Sequence, residues 1–592
     1  METSYSIHTG ETKTLGVVDF VVFASTLSGM LFIGLYFAMK DKKNHDPAQY
    51  LVAGRSMGVL PVSLSLAVTF LSALTLLGLP AEIYNYNTMF WWIALGLVLA
   101  VAGAAHVFNS VLYNIGITSV YEYVDMRYGR SVRVLVSSSW IIQTMSYMGT
   151  VLYAPSLALK TVSGMELWLS ILTVGCLVTV YTSLGGMKAV LWTDSFQALL
   201  ILAGLLLVFI QGCITIGGFG RAWDIASENS RIYFHDFSMD PRSRASFWSV
   251  VVGGGIMWMS YYSANQSQVQ RFLACHTLRK AQVAMWLSGL QLVVIVSLCC
   301  LVGVLLFAFY KDCNPLHYNL VSNTDELLPL FVMDILGHLP GLPGIFLSCI
   351  FSGSLSTLSS GMNAVSAVVL QDYIRPFCSC SINNFTASVI TKVTTAVCGA
   401  ISVGLAFAAS RLGSVLQLSY VAFSVTDGPV FGVFILGMFF PRANRWGALG
   451  GYVTGVIILM WIAVGAFIHN IITPMSKFSV HGCNWNATNS TMPTTPTNNN
   501  TTHAERDKGL GIYELSFFNY TATGAFICVI VGIIVSLITG YGKPVTTDPK
   551  LVFPVIRSLC PCLPKTVKEK LEYAPVAEGP HHIDVTEMSE GV

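Results

Sequence analysis

Residues 351–363 read FSGSLSTLSSGMN, six hydroxyl side chains and two glycines set between apolar runs. On a helix, Ser352, Ser356, Ser360 and Asn363 recur at steps of four, four and three and so share one face. Thr357 sits beside Ser356. Two chemistries use such a stripe. Small hydroxyl residues let membrane helices approach closely and bond across the contact. Hydroxyl oxygens, joined by freed backbone carbonyls, also replace the water shell of a hard cation.

A second segment bears on the choice. PVSLSLAVTFLSALTLLGLPAE, 61–82, is apolar but interrupted by Ser63, Ser65, Thr69, Ser72, Thr75, Gly78 and Pro80. A helix that unwinds at membrane depth turns carbonyls inward, where they bind sodium. Residues 251–271, VVGGGIMWMSYYSANQSQVQR, are comparably odd: three glycines precede a polar patch from Ser260 to Gln270. Two interrupted spans at corresponding places in two five-helix blocks point to an inverted-repeat transporter with a midplane site. The repeat rests on hydropathy and span spacing, without direct internal sequence identity.

The elements that must carry these residues are membrane helices. Of 592 residues, 54% are hydrophobic and 10% charged, against about 25% charged in soluble domains. The net charge of +2 implies no polyanionic partner, and no nucleic-acid signature is present. Backbone groups in lipid must pair internally, and the alternation of a membrane barrel is missing, so the fold class is all-α and polytopic. Hydropathy gives about thirteen spans of crossing length. They fall near 15–39, 57–79, 87–111, 131–157, 166–184, 191–212, 246–264, 281–310, 341–371, 389–409, 412–438, 446–470 and 518–540. The first is too long for a signal-peptide core and reads as an uncleaved span.

Short-loop charge sets the expected orientation. Lys40, Lys42, Lys43 and Arg55 follow the first span, Arg127, Arg130 and Arg133 the third, Arg271, Arg279 and Lys280 the seventh, Arg442 and Arg445 the eleventh. All fall on one side, the cytoplasmic one by the positive-inside rule. The N-terminus is then extracellular, and the tail, 546–592, cytoplasmic. The Thr/Asn/Pro-rich loop at about 471–517 carries N-x-S/T sequons at Asn486, Asn489, Asn499 and Asn500 and reads as extracellular and glycosylated. The sequons at Asn265 and Asn384 fall in the membrane and cytoplasm, where no glycan is expected. Of fourteen cysteines, Cys313 and Cys483 both lie in loops expected outside, where a disulfide between them can form.

At this point the residues carry a resemblance. YLVAGRSM (50–57), GITSVYEYVDMRYG (116–129), SLGGMKAVLWTDSFQ (183–197), NQSQVQR (265–271), PGLPGIF (340–346) and SGSLSTLSSGMNA (352–364) are similar to motifs of the sodium/solute symporters. The match falls in the branch holding sodium-coupled monocarboxylate, multivitamin and iodide transporters and covers about residues 15 to 545. It implies thirteen helices around a LeuT-type five-plus-five core, with repeats at about 57–212 and 246–438, alternating access and no cofactor beyond co-transported sodium. Its sodium site would fall on Ser356, Thr357 and the carbonyls of Gly353, Val68 and Leu71. Asp194 matches the family's acid near the sodium path, although Thr193 and Asp194 would also suit a helix N-terminus.

Substrate-facing candidates come from the broken spans: Phe70, Ser72, Thr75, Trp258 and Tyr261, with Gln417 on the eleventh span. Thr144, Tyr147 and Tyr153 on the fourth carry no assigned role. Thr75 resembles the monocarboxylate members, while 147–159 and 217–227 look closer to the multivitamin members. Sodium-coupled uptake of small monocarboxylates across the plasma membrane is the expectation, with vitamin carboxylates and iodide as alternatives. A channel or sensor on the same scaffold is the alternative of another class. No G-x-x-x-x-G-K-[ST] loop for ATP is present. His106 is lone in the sequence, and no catalytic constellation accompanies it. Asp427, in SVTDGPVFG (424–432), stands where relatives look uncharged. An acid at membrane depth costs about 2.5–3.5 kcal/mol, so it reads as facing a cavity or a partner, or else as part of an interfacial Asp-Gly-Pro turn.

Overall fold

A computed structural model of the chain describes residues 5–40, 53–317, 320–377, 383–410, 415–469 and 511–540, with short pieces within 471–479 and at 548–553. Most of these residues are helical, and no β-strand occurs among them. α1 is Val17–Lys40, and α2, Val59–Val68, meets α3, Ala73–Asn85, at a bend of 57°. α4 is Thr88–Ile115, α5 Val120–Tyr128 and α6 Arg130–Ser163. α7, Leu167–Ser183, and α8, Gly186–Ile216, are separated by a kink at Gly186, whose φ of 63° suits a residue without Cβ. α9 is Phe219–Glu228, α10 Gly254–Ala264, α11 Gln266–Leu273, α12 Leu278–Tyr310 and α13 Leu327–Leu336. α14 is Leu342–Ile374, α15 Asn384–Ala409, α16 Val415–Phe439, α17 Arg445–Ile468 and α18 Tyr520–Gly540.

Among the described residues, eight helices are long and apolar enough to cross a membrane, and the bent pair α2–α3 makes a ninth. The other expected spans, 131–157, 166–184, 246–264 and 412–438, are helical where described but shorter or more polar. α7 stops at the Gly186 kink, and α10 is cut short at Asn265. Both interrupted segments break. In the first, Ser72 is extended (φ −83°, ψ 171°) between α2 and α3. In the second, Asn265 is extended (φ −95°, ψ 124°), and its side chain accepts from Ser267 N to start α11. The glycine run at 253–255 is not the break. Gly255 instead lies against the backbone of Gly96, where an added Cβ would sit 3.2 Å from Gly96 O, so small residues bring α10 close onto α4.

The broken pair packs against α12 and α14, and α14 lies along α8. Every residue from Phe346 to Val368 of α14 is buried. The hydroxyl stripe therefore faces protein on all sides rather than lipid. The chain near 551–553 returns to the bundle, with Tyr123 Oη donating to Leu551 O at 3.1 Å and Phe553 N donating to Met438 O at 2.9 Å.

Several expectations fall outside the described residues: Asn486, Asn489, Asn499, Asn500, Cys483 and the side chain of Gln417. Cys313 is disulfide-bonded. The eight other cysteines that are described are free, so its partner lies among the rest. Asn265 is buried and caps α11 through its side chain. His106 is not alone, since Trp286 Nε1 donates to its Nε2 at 3.0 Å.

Candidate functional site

The break of α2–α3 exposes a short run of carbonyls, and α14 is pressed onto it. A Cβ on Gly353 would come within 2.7 Å of the Leu71 carbonyl oxygen, so only glycine permits this approach. Thr357, one turn on, donates to Gly353 O at 3.1 Å. Leu71 N donates to Val68 O at 3.1 Å, folding the break back on itself. Ser354 Oγ accepts from Ala73 N at 3.3 Å, tying α14 to the first residue of α3. Gly353, Thr357 and the Val68–Leu71 turn thus meet at one place.

Ser356 points the other way. Its hydroxyl donates to Asp194 Oδ1 at 2.8 Å. Asp194 lies in the interior of α8 and is fully buried, so the helix-capping alternative does not hold. Its Oδ2 accepts from Ser65 Oγ at 2.5 Å and from Arg271 Nη2 at 3.1 Å. Arg271, also fully buried, donates through Nε to Ser65 Oγ at 2.6 Å, through Nη1 to Ser267 O at 2.6 Å and through Nη2 to Ser360 Oγ. This network joins α2, α8, α11 and α14, and a buried charge pair so fully bonded meets the cost of leaving water. From sequence, Ser360 reads as part of the stripe, Ser65 as an interruption of 61–82 and Arg271 as loop charge; their meeting around Asp194 was not foreseen. The signal available was an arginine eleven residues beyond Ser260 that a hydropathy reading assigns to a loop.

Beside the break lies a void lined by Thr69, Phe70, Thr144, Tyr147, Met148, Asn265, Ser267, Thr357, Gly361 and Phe423. It admits about one water molecule. Aromatic rings close it. Phe70 stacks on Tyr261 at 5.1 Å between centroids and meets Phe423 edge-on at 6.0 Å. Phe423 also meets Tyr261 at 4.7 Å and Tyr147 at 5.2 Å, both edge-on. Tyr147 Oη donates to Ser72 Oγ at 3.4 Å.

The family profile described as "Sodium:solute symporter family" matches residues 50–455. The chain belongs to that family. Among its relatives, the rabbit (Oryctolagus cuniculus) sodium-dependent multivitamin transporter is 40% identical over 95% of this chain and 88% of that protein. The human sodium/iodide cotransporter is 38% identical over 93% and 87%. Human sodium-coupled monocarboxylate transporter 2 is 37% identical over 93% and 88%. A sodium-coupled sialic acid symporter of known structure superposes with a TM-score of 0.73 at 23% identity, over 90% of this chain and all of that one, which establishes the fold. These relatives are transporters, not enzymes.

Within this symporter, the candidates divide. Phe70 and Thr357 line the void, and Tyr261 and Ser72 border it through Phe70, Phe423 and Tyr147. Thr144 and Tyr147, left without a role on sequence, are part of its wall. Trp258 stands behind Tyr261 at 5.6 Å, and buried Thr75 is not part of the lining. Phe423 was missed, because an aromatic in an apolar span gives no signal of the face it presents. Asp427 is buried in the interior of α16, one helical turn beyond Phe423, so the Asp-Gly-Pro stretch is helix and not a turn.

Proposed function

We propose that this symporter takes up small monocarboxylate anions together with sodium, across the plasma membrane and by alternating access. The observation that carries the reading is the close seating of Gly353 on the Leu71 carbonyl, with Thr357 facing the void. Sodium would be held there by the carbonyls of Val68, Leu71 and Gly353 and the hydroxyls of Ser356 and Thr357, all neutral oxygens suited to a hard cation. Ser356 would have to turn from Asp194 toward the break to join them. Asp194 stands one hydroxyl away and would draw the ion inward.

The residues lining the void carry no charge. An anion entering it would therefore meet its counter-charge in the sodium and in the positive end of α3, which opens at Ser72. The aromatic faces would enclose its apolar part. The void as it stands holds about one water, so a small monocarboxylate would enter only once the aromatic rings part; named monocarboxylate transporters are among the relatives. The 40% identity to a multivitamin transporter supports vitamin carboxylates as the second reading. Uptake of lactate, nicotinate, biotin, pantothenate and iodide into expressing cells, with sodium and with choline in its place, tests the proposal. Sodium-dependent, saturable lactate or nicotinate uptake is expected. Uptake confined to biotin and pantothenate would move the assignment to the second reading, and uptake indifferent to sodium would overturn symport.

A further inference from the structure

Asp427 is 2% exposed in the interior of α16, and its Oδ2 has no hydrogen-bond partner among the described residues. No described residue forms an ion pair with it. Three more unpaired oxygens belong to the same neighbourhood. Ser260 Oγ on α10 faces the carboxylate without closing an ordinary hydrogen bond. Ser424 Oγ lies three residues back on α16, on the face that carries Asp427, and is fully buried and unpaired. Gln143 on α6 donates through Nε2 to Phe423 O at 2.8 Å. That carbonyl is the helical acceptor of the Asp427 amide, so Gln143 sits on the same turn, with its Oε1 unpaired.

An isolated carboxylate cannot stay ionised in such a place. It takes a proton or a metal cation, or it finds a partner. With no positive partner among the described residues, the charge would come from outside. We propose that Asp427, with Ser260, Ser424 and Gln143, forms a second monovalent-cation site beneath the aromatic floor of the substrate cavity, and that its cation moves with the substrate. Sodium and a proton share this chemistry. The site lies across the cavity floor from the Ser356–Thr357 position, since Phe423 and Tyr261 stand between them and carry Asp427 and Ser260 on their own helices.

The titratable group facing Asp427 from α5 is Tyr121. Around Tyr121 stand Tyr452 of α17, Tyr373 of α14 and Asp372. Asp372 is already bound to Arg133 of α6 at 2.5 Å. From α10 and α6, Tyr261 and Tyr147 reach the neighbouring turn through Phe423, and from α18, Cys528 lies against Gly432. None of these supplies a positive charge to Asp427.

The inference rests on sodium-coupled transport by this chain, and the test separates the two. Charge moved per substrate is measured from current and tracer uptake in the same cells, across a sodium series and a pH series, for the parent, Asp427→Asn and Ser260→Ala. Asp427→Asn is expected to move one charge fewer per substrate. A lost pH dependence identifies the proton, and a shallower sodium activation curve identifies sodium. Ser260→Ala deletes one hydroxyl and guards against a carboxamide variant that fails to reach the surface. It should shift half-maximal activation by that cation about tenfold, the worth of one contact to a charged group. Parent behaviour in charge ratio, pH profile and sodium curve, by either variant at the surface, overturns the second site. Parent uptake that ignores sodium overturns the symport reading instead.

Discussion

Asp194 and Asp427 are both buried in helix interiors, and the protein treats them oppositely. Asp194 has a partner for both oxygens: Ser356 on one, Ser65 and Arg271 on the other. Asp427 has an unpaired oxygen and no cation among the described residues. The first carboxylate carries its counter-charge in the chain, so it can be a permanent strut that holds α2, α8, α11 and α14 together. The second needs a counter-charge that comes and goes. A membrane acid is expensive in both places, and the difference lies in whether the expense is settled during folding or during transport.

Breaking the first pair tests the contrast most severely. Arg271→Ala strands Asp194 in a dry site, and removing one partner of a buried pair costs about 3–5 kcal/mol. Surface biotinylation should find little mature protein, and uptake should be lost. Arg271→Ala at parent surface level with parent uptake would show that Asp194, too, is served from outside.

Gly353→Ala comes next. Its Cβ would fall 2.7 Å from the Leu71 carbonyl, and overpacking of this kind costs about 1–3 kcal/mol. The sodium concentration for half-maximal uptake should rise several-fold, while Asp427-dependent behaviour stays as in the parent. An unchanged sodium curve would separate the break from the ion.

Phe423→Ala should act on substrate more than on sodium. The ring meets Phe70, Tyr261 and Tyr147, so its loss opens the void and raises KM for the anion with little change in sodium activation. A matching shift in both would mean that the aromatic wall and the cation sites are one unit.

The smallest expected effect concerns which side of the membrane each aspartate faces. Replacing Asn486, Asn489, Asn499 and Asn500 with Gln should abolish the N-glycan shift on gels and leave uptake near normal. A persisting shift would point to Asn519, whose amide is engaged by Pro241 O and Ser249 Oγ, or would reverse the orientation.

The sequence carried the helical fold, the two breaks and the stripe of Ser356 and Thr357, because hydropathy and hydroxyl spacing are local signals. What it did not carry depends on helices meeting. Asp194 read equally well as a helix cap until Arg271, Ser65 and Ser356 were brought to it from three other helices. Arg271 itself read as loop charge. Phe423 was one apolar residue in an apolar span. The glycines at 253–255 stood in an interrupted span and proved to be a contact surface for α4 and for Phe518 and Asn519 just before α18. For Asp427, the sequence left a turn and a helix interior open, and the structure puts it, buried, inside α16.

Equilibrium sodium binding to the purified protein tests the central claim most directly, with the parent compared against the Ser356→Ala, Thr357→Ala double variant. These changes remove two hydroxyls and leave the helix and the Asp194–Arg271 pair in place. The parent should bind sodium saturably, and the double variant should need at least about tenfold more sodium for half occupancy, as expected for the loss of ligands worth about 1.5–3 kcal/mol each. Equal binding by the two proteins would contradict a sodium site where the α2–α3 break meets α14.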